Sequence, residues 1–303
     1  MPNSPILDSA KVLVFTATYN ERENIAPLIG EICSVAPAAD ILVLDDNSPD
    51  GTGVLLDELA AANSIVKVIH RKGKMGLGTA HSLAMIYAIK HGYDYLVTMD
   101  ADHSHSPADI PRLLSRLCDN DAGDADFVIG SRYMPGGSCD YGGYRKFLSV
   151  GGNWLTRTVT GIPLHEFTTS FRAFRVDKLA QSNFGWVENG GYSFFLEVAI
   201  RLQRAGLDVA EVPIHFYDRN AGDSKIPKLE IFRGIKKLFS LALERISNLN
   251  EDVIRRTHLG HCPKCGGEYL YEVLPQAPQE IIVTPNAQNC TVKCLQCNHS
   301  YFL

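Results

Sequence analysis

Asp100-Ala101-Asp102 is the stretch of this chain that points most directly to chemistry. Two carboxylates one residue apart, just after the apolar run 95–99, can turn toward a single point once the chain leaves an extended conformation. Hard oxygen donors so placed suit Mg2+ or Mn2+, which keep several waters and take phosphate oxygens as further ligands. A solvated acidic loop would explain a lone D-x-D, but two other acidic segments accompany this one. Asp45-Asp46-Asn47-Ser48-Pro49-Asp50-Gly51-Thr52 also follows an apolar run. Tandem acids there suit ribose hydroxyls or a base edge, although every residue type in the segment also favours turns. Thr18-Tyr19-Asn20-Glu21 is the third. Glu21, Asp45, Asp46, Asp100 and Asp102 would then bring five carboxylates to one edge, an arrangement that repels itself unless a cation or ligand compensates.

Binding a diphosphate also requires positive charge. Candidates are Arg132 in Ile129-Gly130-Ser131-Arg132-Tyr133, Arg145, Arg172, and the segment 217–225 with Arg219 and Lys225. Arginine meets phosphate oxygens bidentately and lysine adds a mobile point charge. Each of these could equally serve a surface salt bridge. Gly73-Lys74-Met75-Gly76-Leu77-Gly78 matches neither the P-loop nor the dinucleotide fingerprint. A lid over phosphates and a plain loop fit it equally well.

The cysteines divide the chain. Cys33, Cys118 and Cys139 are scattered, whereas Cys262, Cys265, Cys290, Cys294 and Cys297 crowd the last quarter. Two C-x-x-C pairs, Cys262/Cys265 and Cys294/Cys297, stand about 28 residues apart, as in a zinc ribbon. Four thiolates suit tetrahedral Zn2+, and the metal would supply folding energy to a segment too small for its own core. Such a zinc is structural, since four protein ligands leave no place for water. Cys290, His258, His261 or His299 could replace one ligand, and a redox dithiol is the lesser alternative.

Short β-branched runs alternating with helical patterns position the acidic segments. Strands are expected at 12–16, 41–44, 66–69, 95–99 and 127–129. Asn20 with Glu23 reads as a capping box opening a helix through about residue 34, and 79–90 carries helical periodicity. Ser106-Pro107-Ala108-Asp109 supplies a capping hydroxyl, a first-turn proline and an acid for the next helix. Strands and helices in alternation imply an α/β fold whose mainly parallel sheet is covered on both faces. Such sheets bind ligands outside the carboxyl ends of their strands, where all three acidic segments fall.

With 303 residues, 45% hydrophobic and 21% charged, the composition is that of an ordinary globular protein and excludes disorder. The net charge of −5 argues against a nucleic-acid binder. No run approaches the roughly 20 apolar residues of a membrane span, and the polar N-terminus lacks a signal-peptide layout. A cytoplasmic protein is the expectation.

Six segments in order then resemble one family: Phe15-Thr16-Ala17-Thr18-Tyr19-Asn20-Glu21, Leu44-Asp45-Asp46-Asn47-Ser48, Gly73-Lys74-Met75-Gly76-Leu77-Gly78, Asp100-Ala101-Asp102-His103-Ser104-His105, Ile129-Gly130-Ser131-Arg132, and Ala221-Gly222-Asp223-Ser224-Lys225. The series, over about 11–235, resembles the dolichyl-phosphate mannose synthases, polyprenyl-phosphate sugar transferases of glycosyltransferase family 2. The resemblance implies a GT-A fold, a nucleotide-sugar donor (GDP-mannose in the name-giving members) and a lipid phosphate acceptor. It further implies that Ala17, Tyr19 and Glu21 line the nucleotide pocket, with Leu44 and Asp46 at base and ribose. Asp100 and Asp102 would hold Mn2+ or Mg2+, Ala101 would touch the donor by its backbone, and Ser104 stands where some members add a metal ligand. Arg132, Arg219 and Lys225 would meet phosphates, with Arg145 on the acceptor phosphate. Ala17 replaces a usual proline, His103 an apolar residue and Ser170 a glycine. A serine hydroxyl ligates divalent metal poorly, which leaves the third protein ligand open.

The charges set the expected mechanism. A metal-bound diphosphate leaves readily, and an anionic lipid phosphate needs no strong base to attack. In-line attack at the anomeric carbon with inversion follows, without a protein nucleophile. A lipid acceptor calls for a membrane surface on the cytosolic face. The stretch 229–249 offers Ile231, Phe232, Ile235, Leu238 and Phe239 against Arg233, Lys236, Lys237 and Arg245. A basic amphipathic helix there could lie in headgroups or pack on the body. The expected layout is a catalytic domain 1–226, this helix 227–250 and the ribbon-like tail 251–303, whose protein partner is open. Two alternatives remain, a UDP-sugar donor such as UDP-glucose and a catalytically silent nucleotide-sugar sensor with the ribbon as interaction module.

Overall fold

The computed structural model describes residues 10–118, 124–182, 193–218, 234, 236 and 238–241, and the backbone of four short strands between 257 and 302. Along the first part run β1 (Val12–Thr18), α1 (Arg22–Val35), β2 (Asp40–Asp45), α2 (Thr52–Ala62), β3 (Val66–His70), α3 (Leu77–Lys90), β4 (Tyr95–Asp100) and, after a 3-10 turn at Pro107–Asp109, α4 (Ile110–Leu117). There follow β5 (Phe127–Ser131), β6 (Ser138–Cys139), α5 (Gly143–Thr160), β7 (Arg172–Arg175), α6 (Val176–Gln181), α7 (Ser193–Arg204), β8 (Val209–Pro213) and β9 (His215–Phe216).

Seven strands form one sheet in the order β3-β2-β1-β4-β7-β5-β8. All neighbours pair parallel except β7, which runs antiparallel to both β4 and β5. The expected mainly parallel α/β sheet is therefore present. Each central strand alternates between two cores, as a doubly covered sheet requires. Leu13, Phe15, Leu42 and Leu44 face one layer with α3, α6 and α7, while Val12, Val14, Ile41 and Val43 face the other with α1, α2 and α4. Burying such apolar faces stabilises by about 25 cal/mol per Å2, the main force holding helices to sheet.

The start of α1 departs from expectation. No side chain of its own turn caps it, and Asn20 stands outside it at φ 63. The caps come from the next loop instead: Asp50 accepts from the Arg22 N–H at 3.2 Å and Thr52 Oγ1 from the Glu21 N–H at 3.1 Å. The 3-10 turn before α4 begins as expected, with the Ser106 hydroxyl accepting from Ala108 N. Arg172 also differs from its expected role. It is 1% exposed, its guanidinium lies over the Phe127 and Phe195 rings and donates to the Phe167 and Thr169 carbonyls, so it is a core residue.

The strands β10 (Thr257–His261), β11 (Glu268–Leu274), β12 (Thr291–Cys294) and β13 (Ser300–Phe302) form a separate antiparallel sheet. Cys294 ends β12, while Cys262, Cys265 and Cys297, the other expected zinc ligands, lie outside the described residues. Of the expected helix 227–250, Leu238 and Leu241 are buried in the core beside α7, as a body-packed segment requires, whereas Phe239 is exposed, and Ile231, Phe232 and Ile235 lie outside the described residues. Among the described residues no helix is long and apolar enough to cross a membrane.

Gly137 closes the turn that carries Arg132. A Cβ there would stand 2.5 Å from Ser131 O and 2.8 Å from Arg132 C, both backbone atoms that cannot swing aside. Gly137→Ala should therefore lower unfolding stability by about 2 kcal/mol or more, read as a lower urea midpoint with an unchanged slope.

Candidate active site

Strand register builds the site. Parallel pairing sets Thr18 opposite Asp45, Ala17 opposite Asp100, and Asp45 opposite His70, so the carboxyl ends of β3, β2, β1 and β4 finish level. The strand order reverses direction between β1 and β4, the switch point at which open α/β sheets form their crevice. Three non-glycine residues hold positive φ among the described residues: Asn20 at 63°, Asn47 at 58° and His103 at 58°. Each lies just past one of these strand ends, where the backbone is bent to bring the loops together.

Much of the anticipated repulsion is relieved by the protein itself. Asp45, 1% exposed, accepts from Thr18 Oγ1 at 2.9 Å and from the Ser48 N–H and hydroxyl. Asp46, 7% exposed, accepts from Arg71 Nε and from the Met75 backbone. Burial raises the Asp46 carboxyl while Arg71 pulls it back; burial likewise lowers Arg71 against the pull of Asp46. Arg71 also donates to Thr79 Oγ1 at 2.6 Å and to Gly76 O. The glycine-rich loop is thereby tied to the end of β2, and it sets Lys74 Nζ 4.4 Å from the centre of the Tyr19 ring. Arg71 carries no motif signal, since its partner stands 25 residues away.

At the end of β4, Asp102 accepts from the Ser104 N–H at 3.1 Å and the Ser104 hydroxyl at 2.6 Å. Ser104 is 0% exposed, so its hydroxyl orients Asp102 from behind, which is not the place of a metal ligand facing a cleft. His105, also buried, takes the Asp100 N–H on Nδ1 at 3.3 Å, meets Thr169 Oγ1 with Nε2 at 3.2 Å and packs on Phe171 and Phe216. These contacts fix the backbone that aims Asp100. A cleft of about 420 Å3 opens beside them, lined by Glu31, Asp102, His103, Asp140 and Asp218 among others.

Among the described residues no three His, Cys, Asp or Glu side chains gather closely enough to hold a metal by themselves. Two partly exposed carboxylates beside an acidic cleft fit a cation that takes its remaining ligands from water and phosphate, as Mg2+ and Mn2+ do.

The other expected residues divide. Tyr19 is 39% exposed at the rim, Ala17 is half-buried opposite Asp100, and Glu21 accepts from Asn24 at 2.7 Å. Ala101 is buried between the two aspartates. The Leu44 side chain is wholly in the core, leaving only its backbone for a ligand. Arg145 pairs with Asp218 at 3.2 Å over the Tyr141 ring. Arg219 and Lys225 lie outside the described residues. Arg132 is not an open clamp: its side chain is 9% exposed, and its three nitrogens donate to Glu166, Tyr141 and Thr168. Glu166, wholly buried, is the partner that sequence reading missed.

Burial opposes the ionised forms of this pair, but mutual attraction prevails, holding Glu166 below its usual range and Arg132 above its own. A carboxyl with a depressed folded value contributes stability above its unfolded value and loses it as pH falls through the folded one. Glu166→Gln should cost about 3 kcal/mol near neutrality by stranding the buried Arg132 charge. The gap to wild type should narrow on acidification, as urea titrations from about pH 7 to pH 3 would record.

A family model described as glycosyl transferase family 2 matches residues 13–182. The polyprenol monophosphomannose synthase of Mycolicibacterium smegmatis is 42% identical over 218 residues, covering 71% of this chain and 81% of that protein. The undecaprenyl-phosphate mannosyltransferase of Micrococcus luteus is 40% identical over 217 residues, 71% of this chain and 87% of its own. In fold, the chain is similar to glucosyl-3-phosphoglycerate synthase from Mycobacterium tuberculosis, solved with Mn2+, UDP-glucose and phosphoglyceric acid, at TM-score 0.57 and 20% identity over 85% of this chain and 89% of that one. The level strand ends, the paired aspartates at the switch point and these matches agree: the chain belongs to glycosyl transferase family 2 and is a glycosyltransferase.

Proposed function

We propose that the protein transfers a mannosyl residue from a nucleotide sugar, GDP-mannose, to a polyprenyl phosphate with inversion at the anomeric carbon. The observation that carries this reading is the 40–42% identity, over 71% of the chain, to two enzymes named for mannosyl transfer to polyprenyl phosphates. Asp100 and Asp102 hold the divalent cation, which when bound neutralises charge on the departing diphosphate. Tyr19, Glu21 and the Asp46–Arg71 pair bound the nucleotide, with the Ala17, Leu44 and Ala101 backbones beneath and Lys74 at its edge. Arg145 faces the acceptor phosphate, and Arg219 and Lys225 complete the phosphate contacts. Arg132 acts from behind by bracing Tyr141, on whose ring Arg145 rests.

The reaction needs little proton chemistry. An oxygen of the lipid phosphate forms the new bond to the anomeric carbon as the carbon–oxygen bond to the diphosphate breaks, and nucleoside diphosphate departs with the electron pair. The acceptor is already anionic, so the chain contributes position and charge. The protein would work at the surface of a membrane. The tail's Cys262, Cys265, Cys294 and Cys297 we assign to a structural zinc; Cys262→Ser with Cys265→Ser should take metal content from about one zinc per chain to none.

Incubation with radiolabelled GDP-mannose, polyprenyl phosphate and Mn2+ should give label extractable into organic solvent. UDP-glucose should give far less, and extraction from the UDP-glucose reaction alone would replace the proposed donor. Asp102→Asn should lower transfer about a hundredfold or more and remove the metal dependence of donor binding. Tight donor binding without transfer to any acceptor would instead identify a sensor.

A further inference from the structure

Arg145, the cation that faces the acceptor phosphate in the proposed reaction, already meets an anion. Its Nη1 donates to Asp218 Oδ1 at 3.2 Å, and its guanidinium lies 4.3 Å from the centre of the Tyr141 ring. That ring is firmly held. Tyr141 is buried, its hydroxyl accepts from Arg132 at 2.9 Å, and it packs edge-on against Phe216. Asp218 is brought to Arg145 by the β6–β9 ribbon. Its N–H donates to Asp140 Oδ2 at 3.4 Å, while Asp140 Oδ1 meets His215 Nε2 at 2.9 Å and the Asp140 N–H donates to Phe216 O at 3.0 Å. Arg145 belongs to the first turn of α5, which no side chain caps and in which no acid stands. The positive helix end and the guanidinium both favour an anion there. A carboxylate from a distant part of the chain supplies one, and the same carboxylate lines the cleft with Glu31, Asp102 and Asp140.

We propose that Asp218 is a place-holder for the acceptor phosphate and sets acceptor affinity: its carboxylate occupies Arg145 until an incoming phosphate displaces it. This rests on Arg145 being the acceptor-phosphate contact. The strength of the pair suits exchange. The two side chains are 34% and 55% exposed, and ion pairs so open to water are weak. The buried Arg132–Glu166 pair is permanent by comparison. Phosphate offers the guanidinium a bidentate partner of higher charge, so it can take the place of the carboxylate. Displacement penalises every anion alike. An ion without further contacts is therefore held off, whereas a lipid phosphate gains from its chain and from its place beside the donor.

The test uses the full chain, a short water-soluble polyprenyl phosphate, and a cycle of wild type, Asp218→Asn, Arg145→Gln and the double variant. Asp218→Asn should lower acceptor KM roughly threefold, leave donor KM unchanged, and strengthen inhibition by inorganic phosphate by a similar factor. Arg145→Gln should raise acceptor KM roughly tenfold, and in that background Asp218→Asn should change nothing. A merely structural tie between the ribbon and α5 would, once cut, raise acceptor KM or leave it alone. Either result for Asp218→Asn overturns the proposal. An equal fall in KM with and without Arg145 overturns it too, being the effect of one negative charge removed from the cleft. If Arg145→Gln leaves acceptor KM unchanged, the place-holder and the acceptor role of Arg145 fall together. Should wild type transfer nothing to polyprenyl phosphate, the proposed reaction is refuted, and calorimetry with inorganic phosphate on the same proteins decides the place-holder. Tighter binding to Asp218→Asn that is lost without Arg145 supports it, and unchanged binding overturns it.

Discussion

The parallel pairing of β1 with both β2 and β4 places Thr18, Asp45 and Asp100 at one level of the sheet. Side chains in a strand alternate with period two, so a slip of one residue would exchange the two cores and turn every apolar residue of β1 to the wrong face. Leu13 and Phe15 on one side, Val12 and Val14 on the other, thus lock the register. The same lock delivers the polar strand ends to a common edge. Stability and site geometry have one cause here, and neither can be altered without the other.

Acids concentrated at that edge are managed in layers. Asp45 is satisfied by hydroxyls and a backbone N–H, Asp46 by Arg71, and Asp102 is steadied by Ser104. At the end of β4, by contrast, Asp102 lines a polar cleft and Asp100 stands partly exposed beside it. Charge meant for a ligand is separated from charge used to hold the frame. A second ion pair, Arg132–Glu166, repeats the principle, joining the β5 turn to the inner face of α5 through Asn153.

The strands and acidic motifs were legible because they are local: an apolar run followed by turn-forming acids states its own position. The alternation of strands and helices also disclosed the two-faced sheet. What escaped were partners distant in sequence. Arg71 and Glu166 stand 25 and 34 residues from Asp46 and Arg132, and nothing in their own neighbourhoods marks them. The capping box at Asn20 failed for the same reason, since Asp50 and Thr52 reach across to cap α1 and release Asn20 into a left-handed turn. Arg172 misled because an arginine after a polar stretch reads as exposed, whereas two carbonyls and two aromatic rings hold it inside. The cysteine pairs of the tail were visible as a pattern, but of the four only Cys294 falls on a described strand, and Cys262, Cys265 and Cys297 lie outside the described residues.

The left-handed turns at Asn20, Asn47 and His103 have a bearing on which variants this edge can accept. At such a φ a β-branched residue is strained by roughly 1–2 kcal/mol while glycine is at ease. In a library of random variants, these positions would be filtered by backbone handedness before any ligand was met. Intolerance of Asn47 to valine, with tolerance of glycine, would then describe the curvature of the chain and carry no information about what the loop touches.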